Sequence, residues 1–224
     1  MYKKSYTGRA NINIYWGDCM DFMRSKPDNY YSLSIVDPPY GITQPAFRKE
    51  SKNKAAKTTD YNNAVYNQIA PTDEYFNSLK RASKNYIVWG GNYYNQYLEN
   101  GKKWIFWDKG TEKTQWGDGE LAFTSFNGAI TKFQFTWNGM IQGNMKNKES
   151  RIHPTQKPVQ LYKWLLTNYA KEGDTIFDSH GGSMSIAIAC WEMGFDLDIC
   201  ELDKDYFDAA VKRFENHIAQ QTLF

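Results

Sequence analysis

The chain has 224 residues, 41% of them hydrophobic and 23% charged, with a formal net charge of +2. That length allows one sizeable core, and the charge balance is that of an ordinary globular protein without a polyanion-binding tail. Cys19, Cys190 and Cys200 form no Cys-x-x-Cys pair and His153, His180 and His217 are scattered, which argues against disulfides and a metal site and for a reducing compartment.

The opening "MYKKSYTGRA" has no apolar signal core, and no uninterrupted apolar run is long enough to span a bilayer. A cytoplasmic protein with no membrane partner is expected. "NINIYWG" alternates as a strand and stops at Gly17, and "DCMDFMRS" reads as a short helix opening at Asp18. "YSLSIVD" is a second strand. Residues 41–70 then read as a loop rich in Lys, Asn and Thr, of a length that is usually functional. Its basic residues Arg48, Lys49, Lys52, Lys54 and Lys57 fit either a solvated connection or a phosphate-contacting loop.

"TDEYFNSLKRA" reads as a capped helix, "NYIVWGG" and "KKWIFWDKG" as compact strands, and "GELAFTSF" and "TKFQFTWNG" as further strands. "VQLYKWLLTNYA" has helical spacing, "DTIFDSH" is a strand, and "SMSIAIACWEMG" is a helix ending at Gly194. "FDLDICELD" is a strand, and "KDYFDAAVKRFENHIAQ" is a long amphipathic helix. Strands alternating with helices predict a doubly wound α/β sheet, with ligands beyond the carboxyl ends of its strands.

Three stretches carry chemistry. In "IFDSHGGSMS" a strand ends at Asp178, and Gly181 and Gly182 allow a tight turn into a helix that offers free N–H groups, which fits either a nucleotide-type pocket or a plain strand-to-helix connection. Glu201 ends the next strand, about twenty residues on, where open α/β sheets place an acid on a ribose hydroxyl. In "SIVDPPYGIT" the prolines stop the ladder, so that Asp37 and the Pro38 carbonyl become acceptors beside the Tyr40 ring. Two acceptors beside an aromatic face suit a planar base with an exocyclic amino group.

These residues resemble a known family. "DPPY", Asp37 to Tyr40 with Pro38 and Pro39 between, is similar to the catalytic motif of amino-group DNA methyltransferases that use S-adenosylmethionine. "FDSHGGSMS" resembles their cofactor motif, "RIHPTQKPVQLYKWLL" the segment that precedes it in one permuted branch, and "IVWGGNYY" the strand motif after the catalytic one. Catalytic motif first and cofactor motif last is the beta arrangement, which implies a Rossmann-like mixed seven-stranded sheet with helices on both faces.

The resemblance further implies that Asp18 binds the adenine amino group and that Thr155 and Lys157 line the methionine side with Asp178, Gly182 and Ser183. Cys19, Asp37, His180, Glu201 and Leu202 complete the implied cofactor pocket, and no metal is implied. One catalytic domain over residues 1–224 is expected, with a mobile insertion at 41–70 and a short target-recognition segment at 124–150. Ser179 and His180 stand where the family usually has Pro-Phe, and Met184 stands where it has glycine. The Met184 side chain either narrows the cofactor pocket or packs along the following helix.

No cysteine follows a proline, so the Pro-Cys nucleophile of ring-carbon cytosine methyltransferases is absent. The expected activity is methylation of adenine N6 in DNA. Cytosine N4, an RNA or protein amide substrate, and a non-catalytic DNA- or cofactor-binding relic are the alternatives. The last residues, Gln220-Gln221-Thr222-Leu223-Phe224, resemble the short peptide with which bacterial DNA-handling proteins dock on the replication sliding clamp. A homodimer is a further expectation.

Overall fold

The computed structural model describes residues 1–41, 69–100, 102–111, 117–138 and 141–221. The basic segment from Arg48 to Lys57 and the apolar pair Leu223 and Phe224 of the clamp-like peptide lie outside the described residues.

Nine strands form one sheet. In chain order they are β1 (Tyr2–Thr7), β2 (Asn11–Trp16), β3 (Tyr31–Val36), β4 (Ser83–Trp89), β5 (Trp104–Asp108), β6 (Gly119–Thr124), β7 (Thr131–Gln134), β10 (Thr175–Asp178) and β11 (Asp196–Glu201). Their spatial order is β1-β2-β11-β10-β3-β4-β6-β5-β7, and β8 (Trp137–Asn138) and β9 (Ile141–Gln142) make a separate hairpin. The expected sheet had seven strands; here β1 and β7 add one at each edge.

β2, β11, β10, β3 and β4 run parallel to one another, and β6 runs against both β4 and β5. Alternate residues of the central strands feed two cores. Leu33, Ile35, Ile87 and Trp89 join the core under α3 (Val159–Tyr169), α4 (Ser185–Met193) and α5 (Lys204–Gln221). Val36, Val88, Phe177 and Cys200 join the core under α1 (Cys19–Arg24) and α2 (Asp73–Ala82). Helices therefore cover both faces, as a mostly parallel sheet requires. Among the described residues no helix is long and apolar enough to cross a membrane.

One expectation changes, and one strand was not foreseen. "TKFQFTWNG" is not one strand: beyond Gln134 its partner turns away at Gly110, which takes a φ of 60°, and Trp137 pairs instead with Gln142. The edge strand β1 has no apolar period to reveal it. It is fastened through Lys4 Nζ and Tyr6 Oη, which both donate to Glu215 Oε1 on α5, at 3.0 and 2.7 Å.

Met184 is fully buried in the core and does not line the cavity described below, so packing along α4 is the outcome found. It opens α4 with a left-handed backbone (φ 56°), the conformation for which glycine is suited. A Met184→Gly variant relieves about 1 kcal/mol of backbone strain but loses a buried side chain that contributes about 2–5 kcal/mol. Urea unfolding should show a net loss of about 1–3 kcal/mol, with S-adenosylmethionine affinity by calorimetry unchanged. A gain in affinity would place the side chain in the pocket after all.

Candidate active site

Strand order reverses between β10 and β3. From β10 the chain continues to β11 on one side, and from β3 to β4 on the other. The carboxyl ends of two adjacent parallel strands splay apart at such a point and leave a crevice. Here the crevice opens into a cavity of about 790 Å³, lined by the Asp37–Tyr40 turn, residues 179–183, Asp18, Cys19, His153, Thr155, Lys157, Glu201 and Leu202, among others.

On the β3 side, Asp37 follows Val36 directly. Its Oδ1 accepts from Tyr40 Oη at 2.7 Å and its Oδ2 from Lys157 Nζ at 2.5 Å. The Pro38 carbonyl already acts as an acceptor within the protein. Tyr94, buried after β4, donates its hydroxyl to the carbonyls of Pro38 and Pro39, at 2.9 and 2.6 Å. A second lone pair on the Pro38 oxygen remains available. The Tyr40 ring stacks on Tyr93 with centroids 5.0 Å apart, so one of its two faces is covered. Gly90 allows this approach: its φ is 69°, and a Cβ there would lie 2.3 Å from Tyr40 Cε1.

On the β10 side, Gly181 N–H donates to the Cys200 carbonyl at 2.7 Å, and Gly182 takes a left-handed φ of 49°. Glu201 accepts from Gly182 N–H at 2.7 Å and Asp203 N–H at 2.8 Å, which seats its carboxylate at the cavity wall. Burial raises its pKa, against these backbone donors. Asp18 caps α1 by accepting from Met20 N–H at 2.8 Å, and Leu202 stands 69% exposed at the rim. Burial, with Asp18 beside it, pushes the Cys19 thiol up to about 12. Asp178 is an exception among the expected cavity residues. It is buried behind the wall, accepts from His180 N–H at 3.0 Å, and so shapes the turn from within.

The His-Pro-Thr-Gln-Lys segment is a self-bonded loop. Gln156 accepts from Ile152 N–H at 2.9 Å and donates to the Ser150 carbonyl at 3.2 Å. Thr155 sits on His153 Nδ1, 3.1 Å from its hydroxyl. The loop delivers Lys157 into the crevice with its side chain 2% exposed. Its ammonium faces Asp37 and, at 3.1 Å, Glu120 Oε2, where Lys157 lines the cavity beside Thr155. Burial pulls the Lys157 pKa down, but Asp37 and Glu120 outweigh burial and hold it above its ordinary value.

Sequence reasoning missed Glu120, Tyr94 and Tyr75. Glu120 is the lone acid in an otherwise apolar strand run, which is a readable signal. Tyr75 lies beyond one: its hydroxyl is 2.7 Å from Ser179 Oγ, which is 2.7 Å from His180 Nδ1. The chain thus builds a polar wall from the two residues that replace the family's Pro-Phe.

A doubly wound sheet whose reversal point carries a glycine turn, a strand-end acid and an Asp-Pro-Pro turn defines an α/β enzyme with a nucleotide-type pocket. Residues 75–212, more than half of the chain, match the N6_N4_Mtase family, described as DNA methylase. The chain belongs to that family of DNA amino-methyltransferases, which use S-adenosylmethionine and act on adenine N6 or cytosine N4. Type II methyltransferase M2.MboI of Moraxella bovis is 25% identical over 216 residues, 80% of this chain and 78% of its own length. Type II methyltransferase M.HpaI of Haemophilus parainfluenzae is 26% identical over 237 residues, 87% of this chain and 71% of its own. Two solved structures share the fold. The M1.HpyAVI–SAM complex has a TM-score of 0.58 at 18% identity, covering 90% of this chain and 99% of that one. The cytosine-N4-specific PvuII DNA methyltransferase has a TM-score of 0.56 at 17% identity, covering 92% and 86%.

Both cavity histidines are neutral at pH 7. Burial, helped by Lys157 and opposed by Asp203, lowers His153 to about 4, and burial lowers His180 to about 4 against Asp18. An unfolded histidine titrates near about 6.5. Between that pH and the folded value the unfolded chain binds more protons, so stability is lost as pH falls. Replacing His153 with Gln should shrink the stability difference between pH 7 and pH 5 by about 1–2 kcal/mol in urea unfolding. An unchanged difference would mean that His153 is not held neutral by the fold.

Proposed function

We propose that the protein methylates adenine N6 in DNA, with Asp37 and the Pro38 carbonyl receiving the target amine. The observation that carries this reading is the position of Asp37. It lies at the carboxyl end of β3, on the wall of the same cavity as the glycine turn and Glu201. The Asp-led form of the motif favours adenine, because in this family a leading Ser goes with cytosine N4.

The pocket's chemistry suits S-adenosylmethionine. Glu201 offers an acceptor to ribose hydroxyls, Gly181 and Gly182 allow close backbone approach, and Asp18, Cys19 and Leu202 form a mixed polar and apolar rim for the adenine. Gly181 has little space to spare, since a Cβ there would meet Ile199 at 3.0 Å and the Cys200 carbonyl at 3.2 Å. Thr155, His180 and Ser183 line the same cavity. When bound, the cofactor supplies a methyl group made electrophilic by its sulfonium.

The target base leaves the stack to reach the site. Asp37 and the Pro38 carbonyl accept hydrogen bonds from its amino group, which favours a pyramidal nitrogen with a free lone pair. As the nitrogen gains positive charge, the Asp37 carboxylate stabilises it, and the acceleration comes from positioning and electrostatics. Tyr40 holds Asp37 through its hydroxyl and brings an aromatic ring to the place where the base would sit. The basic segment with Arg48, Lys49, Lys52, Lys54 and Lys57 would supply phosphate contacts, in a cytoplasmic enzyme.

Mass analysis of nucleosides after reaction of duplex DNA with labelled S-adenosylmethionine tests this reading. N6-methyladenine is the expected product, and N4-methylcytosine alone would overturn the choice of base. Asp37→Ala should lower the rate by at least about a hundredfold with cofactor affinity retained. Activity within about tenfold of wild type, roughly 1.4 kcal/mol in barrier, would remove Asp37 from its role.

A further inference from the structure

The chemistry proposed above does not use Glu120, although it is an acid packed against the reacting end of the site. β6 is antiparallel to its neighbours, so its first residues arrive at the edge where β3 and β4 end. Glu120 there meets two lysines. Its Oε2 lies 3.1 Å from Lys157 Nζ, an ion pair rather than an aligned hydrogen bond, and its Oε1 accepts from Lys109 Nζ. The Lys109 ammonium sits 4.7 Å from the centroid of the Trp107 ring. The result is a row of alternating charge: Asp37, Lys157, Glu120, Lys109.

Consider Lys157 with Asp37 as its sole anion. The ammonium would belong wholly to that carboxylate, neutralise it, and weaken it as an acceptor for the substrate amine. Burial would also favour loss of the lysine's proton. With Glu120 present, the inner three groups keep one net negative charge. Asp37 is then fixed in place without being neutralised.

We infer that Glu120 is a positioning residue for Asp37, acting through Lys157: it shares the ammonium, keeps it charged, and leaves the Asp37 carboxylate able to accept the amine. This rests on the reading that Asp37 receives the target amine. Among the described residues, the groups that face Lys157 are Asp37 and Tyr40 after β3, Glu120 on β6 with Lys109 behind it, His153 on its own loop, Asp178 at the end of β10, and the Trp89 ring 5.4 Å away. Among the described residues, Glu120 and Asp37 are the two anions in contact with the ammonium, so removing Glu120 leaves burial opposed by one of these carboxylates. The alkaline loss of activity must then move to lower pH.

The test is methylation of duplex DNA from pH 7 to 10 by wild type, Glu120→Gln, Glu120→Asp, Lys157→Met and the Gln/Met double variant, with cofactor affinity measured by calorimetry. Glu120→Gln should lower kcat by about tenfold to a hundredfold, leave S-adenosylmethionine affinity unchanged, and bring the alkaline limb to lower pH. Glu120→Asp should restore the limb. In the Lys157→Met background the Gln substitution should cost little more, because its effect passes through the lysine. Wild-type kcat and pH profile in Glu120→Gln, or costs that add in full, overturn the inference. A readout that needs no Glu120 variant is the Nζ resonance of Lys157 in wild-type protein labelled with ¹⁵N-lysine, assigned by its loss in Lys157→Arg. It should stay in the charged form beyond the ordinary lysine range, and titration below that range overturns the inference equally. A wild-type protein that methylates no DNA would instead remove the reading of function, and the lysine titration would still decide the role of Glu120.

Discussion

An ammonium withdrawn from water must find acceptors within the fold, and the layout of this site follows from where the acceptors of Lys157 come from. One is the carboxylate after β3, at 2.5 Å, and the other stands on β6, at 3.1 Å. Neither element is near the lysine in sequence. Breaking one side of such a buried pair leaves a charge uncompensated, which is far more costly than the net contribution of the intact pair. The loop that carries the lysine is held by its own hydrogen bonds. Gln156 bonds within it on both ends of its carboxamide, and the Gln156 carbonyl accepts from Trp137 Nε1 at 2.8 Å. The hairpin of β8 and β9, inside the segment expected to recognise the target, thus buttresses the lysine loop through Trp137.

The cofactor wall is tied to the same loop by one arginine. Arg213 on α5 donates to the Ser183 carbonyl at 2.7 Å and to Glu149 Oε2 at 2.7 Å. Glu149 Oε1 in turn accepts from Val159 N–H at 2.9 Å, at the start of α3. A guanidinium holds two partners at fixed angles, which a lysine cannot. The glycine turn and the lysine loop are therefore set relative to each other by α5, although neither touches the cavity through Arg213 itself.

Much of this was legible in the sequence, for identifiable reasons. Strands buried on both faces appear as short apolar runs, and "YSLSIVD", "NYIVWGG" and "FDLDICELD" each fall on a strand of the sheet. Asp37, Gly182 and Glu201 were legible because a strand end followed by a turn has few uses in an α/β sheet. What stayed hidden depends on pairing between distant segments. β1 is held by Lys4 and Tyr6 on Glu215, a polar attachment that leaves no hydrophobic period. Asp178 was placed at the cavity because it belongs to the motif, yet its carboxylate turns back to its own backbone. Burial raises its pKa well above the carboxylate range, against the His180 N–H, and Asp37 and Glu201 nearby raise it further. Three acids meet at this edge, and burial presses both Asp178 and the cavity-lining Glu201 towards neutrality.

The order of the motifs along the chain has a physical consequence. Asp37 and Asp178 end neighbouring strands, but about 140 residues separate them, and β3 meets β10 through the register Ile176 with Leu33 and Phe177 with Ser34. Closing that much chain costs entropy before any contact repays it. The two halves of the crevice are therefore joined by one of the most non-local pairings in the sheet. Contacts that span the same gap, the Lys157–Asp37 pair above all, contribute twice. They shape the site, and they oppose the separation of the strands whose ends form it.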